Sequence, residues 1–291
     1  MFKQHTLRFE FKNNAEAFDD KGNDSISLAN VKATVSLNAV VGRMAATAEI
    51  SIYGLSIDRL AELSGHADGN MLSTQNITVS IFADDFFMFS GGMVSSIANM
   101  NSAPETSLMI VAIANADLQK KAVSPFSANG SQPIETVISS ICTAAGYEAA
   151  FKGLKGMTTS SSPHYEGSVY DQLHAVCSDY NVAMQVNPPN NIEFWSDSSL
   201  RDDVVPYISK EYGLIGYPVF SNGGILFQTQ YSLLLIIGRH IEIKTDLPHA
   251  SGRYQLTAVK HELSSWVDSG SWHTICTAVR TQEEREKAQN G

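Results

Sequence analysis

Apolar and polar residues alternate through the first third of the chain, the pattern of strands that bury one face. Leu7, Phe9 and Phe11 alternate with Arg8, Glu10 and Lys12, and Val31, Ala33, Val35 and Leu37 alternate with Lys32, Thr34, Ser36 and Asn38. The same period returns over residues 46–53 and predicts further strands at 77–82, 87–97 and 108–113. Asp84 and Asp85 mark a hairpin turn, and Gly91-Gly92 inside a strand pattern points to a bulge or a close backbone contact. One short helix interrupts the series. Ser56 is its N-cap, Ile57, Leu60, Ala61 and Leu63 are its apolar stripe, and Gly65 is its stop. At two turns it is suited to covering one open end of a barrel.

The period changes after Lys120-Lys121. Ser131 is placed to cap a helix with Pro133 in its first turn, and Ile134, Val137, Ile138, Ile141, Cys142 and Ala145 fall on one helical face before Gly146. Ser168 and Asp171 form the spacing of a capping box, followed by a second stripe of Val169, Leu173, Val176, Cys177 and Tyr180. Residues 182–186 and 192–195 predict a strand pair. From Val204 strands dominate again, at 225–237, 241–245, 254–264 and 274–280, punctuated by glycines. The expected fold is therefore mainly β with an α+β insertion. Its parts are a first antiparallel β region (1–117), a mixed α+β module (118–203), a second β region (204–281) and a polar tail (282–291) that orders only against a partner.

Composition narrows the function. With 43% hydrophobic and 17% charged residues, the 291-residue chain has the makings of a proper core. Twenty Lys and Arg against thirty Asp and Glu give a net charge of −10. That argues against a general nucleic-acid binder, whose affinity comes from clustered cations. It is compatible with a channel wall along which DNA slides. Three widely spaced cysteines, Cys142, Cys177 and Cys276, suggest free thiols in a reducing cytosol and no zinc site. No secretory signal is visible at the start, and the aliphatic run 233–237 is far shorter than a bilayer span, so a soluble protein without a membrane anchor is expected.

The motifs that carry chemistry are absent. Eight histidines are scattered without metal-ligand spacing, and only His261, in a strand near Glu262 and Trp266, stands apart from the surface or structural role expected of the rest. No G-x-S-x-G occurs, and His66 and Asp68 sit in a short loop without a nucleophile signature. The acid pairs Asp19-Asp20, Asp84-Asp85, Asp202-Asp203 and Glu283-Glu284 read as solvated charge in turns and tails. No phosphate-binding glycine motif follows a strand. We expect no catalytic residue, no cofactor and no metal, so function resides in surfaces. Trp195 and Tyr165 could be exposed stacking platforms for a glycan, although burial in the core is the commoner fate of such residues.

Three stretches resemble the baseplate hub family of long-tailed bacteriophages, which includes late control protein D and the tube part of type VI secretion spike proteins. They are ATAEISIYGLSIDRLAELS at 46–64, YGLIGYPVF at 212–220 followed by Gly224-Ile225, and 256–274 with His261, Leu263, Gly270, Trp272 and Thr274. Related sequences often carry Asn-Pro where Ser232-Leu233 stands. The resemblance implies two tail-tube-like barrels per chain and a homotrimer, so that six similar domains form a pseudo-sixfold ring. It further implies assembly in the host cytoplasm, a place in the virion tail, and partners in the tail tube or its initiator, the central spike and other baseplate proteins. DNA would pass through the lumen without specific binding. A tail-associated cell-wall hydrolase and a glycan-binding tail module are the alternatives.

Overall fold

The computed structural model describes residues 5–281 except 16, 19, 20, 41–43, 65, 69, 70, 74, 75, 102, 115, 188, 189, 197–199 and 222. The fold is mostly β and divides into two compact units. One comprises Met1–Asn38, Ala46–Ala116 and His261–Trp272; the other comprises Ala39–Ala45, Asp117–Lys260 and His273–Gly291.

The first unit is built from β1 (Leu7–Asn13), β2 (Ser25–Ala29), β3 (Lys32–Val40), β4 (Met44–Tyr53), α1 (Ile57–Leu63), the short pair β5 (His66–Asp68) and β6 (Met71–Ser73), β7 (Ile77–Ala83), β8 (Phe86–Asn99) and β9 (Ser107–Ile113). The long strands lie in the order β3-β4-β9-β8-β7-β1-β2. Alternation works as expected here. Leu7, Phe9 and Phe11 are fully buried, Phe9 stands opposite Ile81, and Ile50 stands opposite Ile110. Each such side chain contributes about 1.5–3 kcal/mol by leaving water. Gly91 marks a close approach, since a Cβ there would lie 2.7 Å from the Ile113 carbonyl carbon, and a register shift follows between Met93 and Ser95. Ser56 caps α1 by accepting from the Arg59 amide, and Leu60 and Leu63 are buried. Ile57 and Ala61 depart from the expected stripe and are exposed, so that a helix of two turns buries only Leu60 and Leu63. The expected stop at Gly65 lies outside the described residues, and His66-Ala67-Asp68 is strand, not loop.

The second unit contains α2 (Ala116–Lys120), β10 (Phe126–Ser127), α3 (Ile134–Ala144), β11 (Glu148–Lys152), β12 (His164–Tyr165), α4 (Val169–Tyr180), β13 (Val182–Asn187), β14 (Asn191–Ser196), β15 (Tyr207–Ile208), β16 (Leu214–Ser221), β17 (Gly224–Gln230), β18 (His240–Ile243), β19 (Gly252–Ser265) and β20 (Trp272–Arg280). Strand β19 is divided between the two units at His261, and β3 is one of its neighbours in the sheet order. Helices α3 and α4 cover the small sheet β11-β14-β13, and their stripes meet in one core of Ile134, Val137, Ile138, Ile141, Leu173, Val176 and Phe194. Ser168 and Asp171 close the capping box on α4. Ser131 does not cap α3. Pro133 occupies the N-cap position, and the Ser131 hydroxyl donates to the Thr159 carbonyl instead. The other ladder runs β16-β17-β20-β19-β18-β15. Among the described residues neither unit's ladder closes on itself.

The strand expected over 225–237 ends at Gln230. After Tyr231-Ser232 comes the aliphatic run 233–237, which does not alternate, and two arginines take over carbonyls that a neighbouring strand would otherwise satisfy. Arg201 donates to Ile237 O and Arg239 donates to Leu234 O. Arg201 also pairs with Glu193 and lies over the Trp195 ring at 4.5 Å, while Arg239 holds Asp202 with Nε at 3.0 Å. Burial pushes the Asp202 carboxyl up, but the hydrogen bonds and charge of Arg239 outweigh it and hold the group below its ordinary range. Gly238 completes the arrangement. Its φ is +76°, and a Cβ there would come within 2.6 Å of Trp195 Nε1.

Two stability tests follow from this packing. Gly238→Ala combines left-handed backbone with overpacking against Trp195 and should cost roughly 2–4 kcal/mol, read as a lower urea midpoint. Burial in β19 pushes the His261 imidazole down to about 4 from 6.5. The unfolded chain takes up a proton below about pH 6.5 while the folded chain stays neutral. Stability is therefore full above that pH, falls as pH drops towards 4, and loses about 3 kcal/mol in all. Urea titrations at a series of pH values should show this slope in the wild type and its loss in His261→Leu.

Candidate assembly surfaces

The residues singled out for chemistry are dispersed by the fold. Trp195 is in the core of the second unit, stacked under Arg201, and Tyr165 is buried with its hydroxyl donating to Asp179 at 3.2 Å. Neither is a stacking platform. His261 is buried in β19, and the side chains of His66 and Asp68 lie outside the described residues. Asp202 is not solvated charge but the partner of Arg239; Asp19-Asp20 and Glu283-Glu284 lie outside the described residues. Among the described residues, no group of three or more His, Cys, Asp or Glu is placed to hold a metal ion. The three cysteines are buried and free, and burial pushes each thiol up to about 12, which makes them packing groups and poor nucleophiles.

What the fold does bring together is exposed apolar surface on strands. Strand β16 is the end of its ladder and pairs only with β17 among the described residues. It exposes Ile215, Tyr217, Val219 and Phe220, with Leu226 opposite Val219 on β17. An apolar edge is a template for another chain, and proteins blunt such edges with charge, proline or a bulge; β16 has no charged residue, but it contains Pro218 and shifts register against β17 between Ile215 and Val219. Strand β2, the end of the other ladder, is five residues long and shows Ser25, Ser27 and Ala29 to solvent. The two edges therefore differ in kind.

A second surface lies on the face of the first unit. Ile97 stands directly opposite Met109, Val111 is two residues further along β9, and the register shift after Met93 turns Val94 outwards beside them. At the tips of two turns the chain exposes Phe86 and Phe87 in the first unit and Leu233 and Leu234 in the second. The tip at Leu233 is fixed by the arginine contacts to Leu234 O and Ile237 O. Sequence patterns do not reveal these surfaces, because an exposed apolar residue in a strand breaks the alternation by which strands are recognised. The resemblance at 212–220 is the one signal that reaches β16.

No protein-family model matches the chain, and no curated protein sequence matches it. Solved structures do. The chain is similar to the 43 kDa tail protein of prophage MuSo2 from Shewanella oneidensis, with a TM-score of 0.66 and 8% identity, covering 96% of this chain and 97% of that one. It is similar to a tail protein from Neisseria meningitidis MC58, with a TM-score of 0.61 and 8% identity over 96% and 97% of the two chains. The E. coli c3393 protein, a type VI secretion component described as structurally similar to the T4 tail proteins gp27 and gp5, gives a TM-score of 0.61 at 12% identity over 87% of this chain and 74% of that one. The chain thus has the fold of phage tail proteins and of a type VI secretion component.

Proposed function

We propose that this protein is a structural, non-enzymatic subunit of a phage tail, the baseplate hub that joins the tail tube to the central spike. The observation that carries the reading is the exposed apolar edge of β16 in a chain whose fold is that of tail proteins. In this reading residues 1–117 and 204–281 are two tube-like domains flanking the module 118–203. Three copies form a pseudo-sixfold ring, with each open ladder completed by a neighbour. Closed cyclic symmetry satisfies edges that an isolated chain leaves bare. The ring presents a near-sixfold face to the tube and a threefold face to the spike. Three copies carry a net charge of about −30, three times −10, and a wall of that sign repels phosphates and keeps DNA moving.

Native mass measurement tests the assembly: the purified chain should have three times the monomer mass. Tyr217→Lys combined with Val219→Lys puts charge on the β16 edge and should shift the protein to monomer with little change in its thermal midpoint, since both side chains are already exposed. A double variant as trimeric as the wild type would remove β16 from the interface. Binding of duplex DNA should be weak and should not strengthen steeply at low salt; tight, salt-sensitive binding would contradict a conduit.

A further inference from the structure

A polar turn in the α+β module, between β10 and α3, carries a chemically labile pair. Asparagine is followed by glycine at 129–130, 222–223 and 290–291, and only Asn129-Gly130 has both residues among those described. Asparagine is a thermolabile residue. A glycine after it leaves the next amide nitrogen open to the asparagine side chain, because no Cβ stands in the way. Asn129 and Gly130 are both exposed, and Gly130 has a φ of +72°, the left-handed backbone that favours glycine. A Cβ built at Gly130 would meet nothing within 4 Å, so solvent reaches this part of the turn freely.

The turn is fastened to the segment 159–163 on both sides of the pair. Before it, the Ala128 amide donates to Pro163 O at 3.1 Å. After it, the Gln132 amide donates to Thr159 Oγ1 at 2.8 Å, the Thr159 amide donates back to Gln132 O at 2.8 Å, and the Ser131 hydroxyl donates to Thr159 O. Gln132 Nε2 donates to Asn129 O at 3.0 Å. Between these fastenings the Gly130 amide donates to Ser162 Oγ at 2.9 Å. That nitrogen is the one atom of the turn placed by sequence to attack the Asn129 side chain.

We propose that Asn129 is a site of spontaneous deamidation and that the Ser162 hydroxyl restrains it. Gly130 N loses its proton and attacks Asn129 Cγ; the N–Cγ bond forms, the Cγ–Nδ2 bond breaks, and Nδ2 leaves as ammonia with that proton. Solvent water then opens the cyclic imide at either carbonyl, leaving an aspartate or an isoaspartate at position 129. A hydrogen bond from the Gly130 amide to a neutral oxygen stabilises the protonated nitrogen, which is the unreactive form. The bonds on either side oppose the backbone rotation that brings nitrogen and Cγ together. The folded chain therefore reacts more slowly than the unfolded one. Either product adds a negative charge. Isoaspartate also lengthens the main chain by one carbon between the Ala128–Pro163 and Gln132–Thr159 bonds, so the two no longer fit one register. Strands β10 and β12, which bring Tyr165 into the core, lie directly beyond Ala128. The proposal is independent of the assembly reading.

Incubation of the full-length chain in mildly alkaline buffer, followed by peptide mapping, tests it through the isoaspartate content of the peptide that holds position 129. Wild type, Ser162→Ala and Ser162→Thr are compared folded, and wild type is also followed unfolded in urea, with Asn290-Gly291 as the reference pair in every sample. Position 129 should convert fastest in urea. In the folded chain Ser162→Ala should convert about fivefold faster than wild type, the factor that one ordinary net hydrogen bond is worth. Ser162→Thr keeps the hydroxyl and should stay at the wild-type rate. Ser162 is exposed, so both variants should keep the wild-type thermal midpoint, which confines the effect to the turn. Equal rates in wild type and Ser162→Ala overturn the restraint. Absence of conversion at position 129 in the unfolded chain overturns the site.

Discussion

A strand in a sheet presents hydrogen-bonding groups on two sides, and the last strand of an open ladder has one side with no strand beside it. In this chain that condition falls on β16, where it coincides with Ile215, Tyr217, Val219 and Phe220 standing out into solvent. Either property alone is tolerable. Together they make a surface that is costly to leave wet and prone to recruit another chain. Behind this edge β17 keeps a continuous register with β20, and Gly224 lets β17 lie against the Ala278 carbonyl, while β16 shifts register against β17 between Ile215 and Val219.

The buried arginines fix another part of the same unit. Isolated charges in a core are expensive, and Arg201 and Arg239 are tolerated because each is met by a carboxylate and by a backbone carbonyl. Their targets, Leu234 O and Ile237 O, belong to a loop that a strand partner has abandoned. Two cations thus replace a missing strand, which is how Leu233 and Leu234 come to project from a fixed backbone. The stacking of Arg201 on Trp195 and the lack of a side chain at Gly238 bind this loop to the sheet of the α+β module within the same unit.

The strands with one buried face are readable from sequence because burial imposes a period of two: β1, β4, β7 and β9 follow it almost residue for residue. Helix α4 is readable because its first turn carries its own hydrogen-bonding partners in Ser168 and Asp171. Three kinds of element are not. Short strands such as β2 and β11 have too few residues to establish a period, and β11, sequence EAAFK, lacks β-branched residues. The run 231–237 reads as a strand by composition but is held by side chains distant in sequence. The candidate surfaces are the least visible, since an interface strand looks, to pattern analysis, like a strand with errors. Ser131 illustrates a local ambiguity of the same origin, for its hydroxyl has two possible uses near α3, and the tertiary contact with Thr159 wins.

The similarity to tail proteins at about a tenth identity bears on where the function of this fold can reside. A fold specified by alternation and volume accepts the replacement of most residues, provided apolar stays apolar inside and the turns keep their special backbone. Sharing it therefore carries no particular side chain from one protein to another. What it carries is topology: where ladders end, which hairpins project, which strand is left at an edge. In this chain the exposed apolar residues on strands and turns gather at such places, at β16, at the β7–β8 tip and on the β8–β9 face, while the side chains that chemistry would need are separated or buried. The fold supplies the positions, and the residues this sequence places there give those positions exposed apolar side chains.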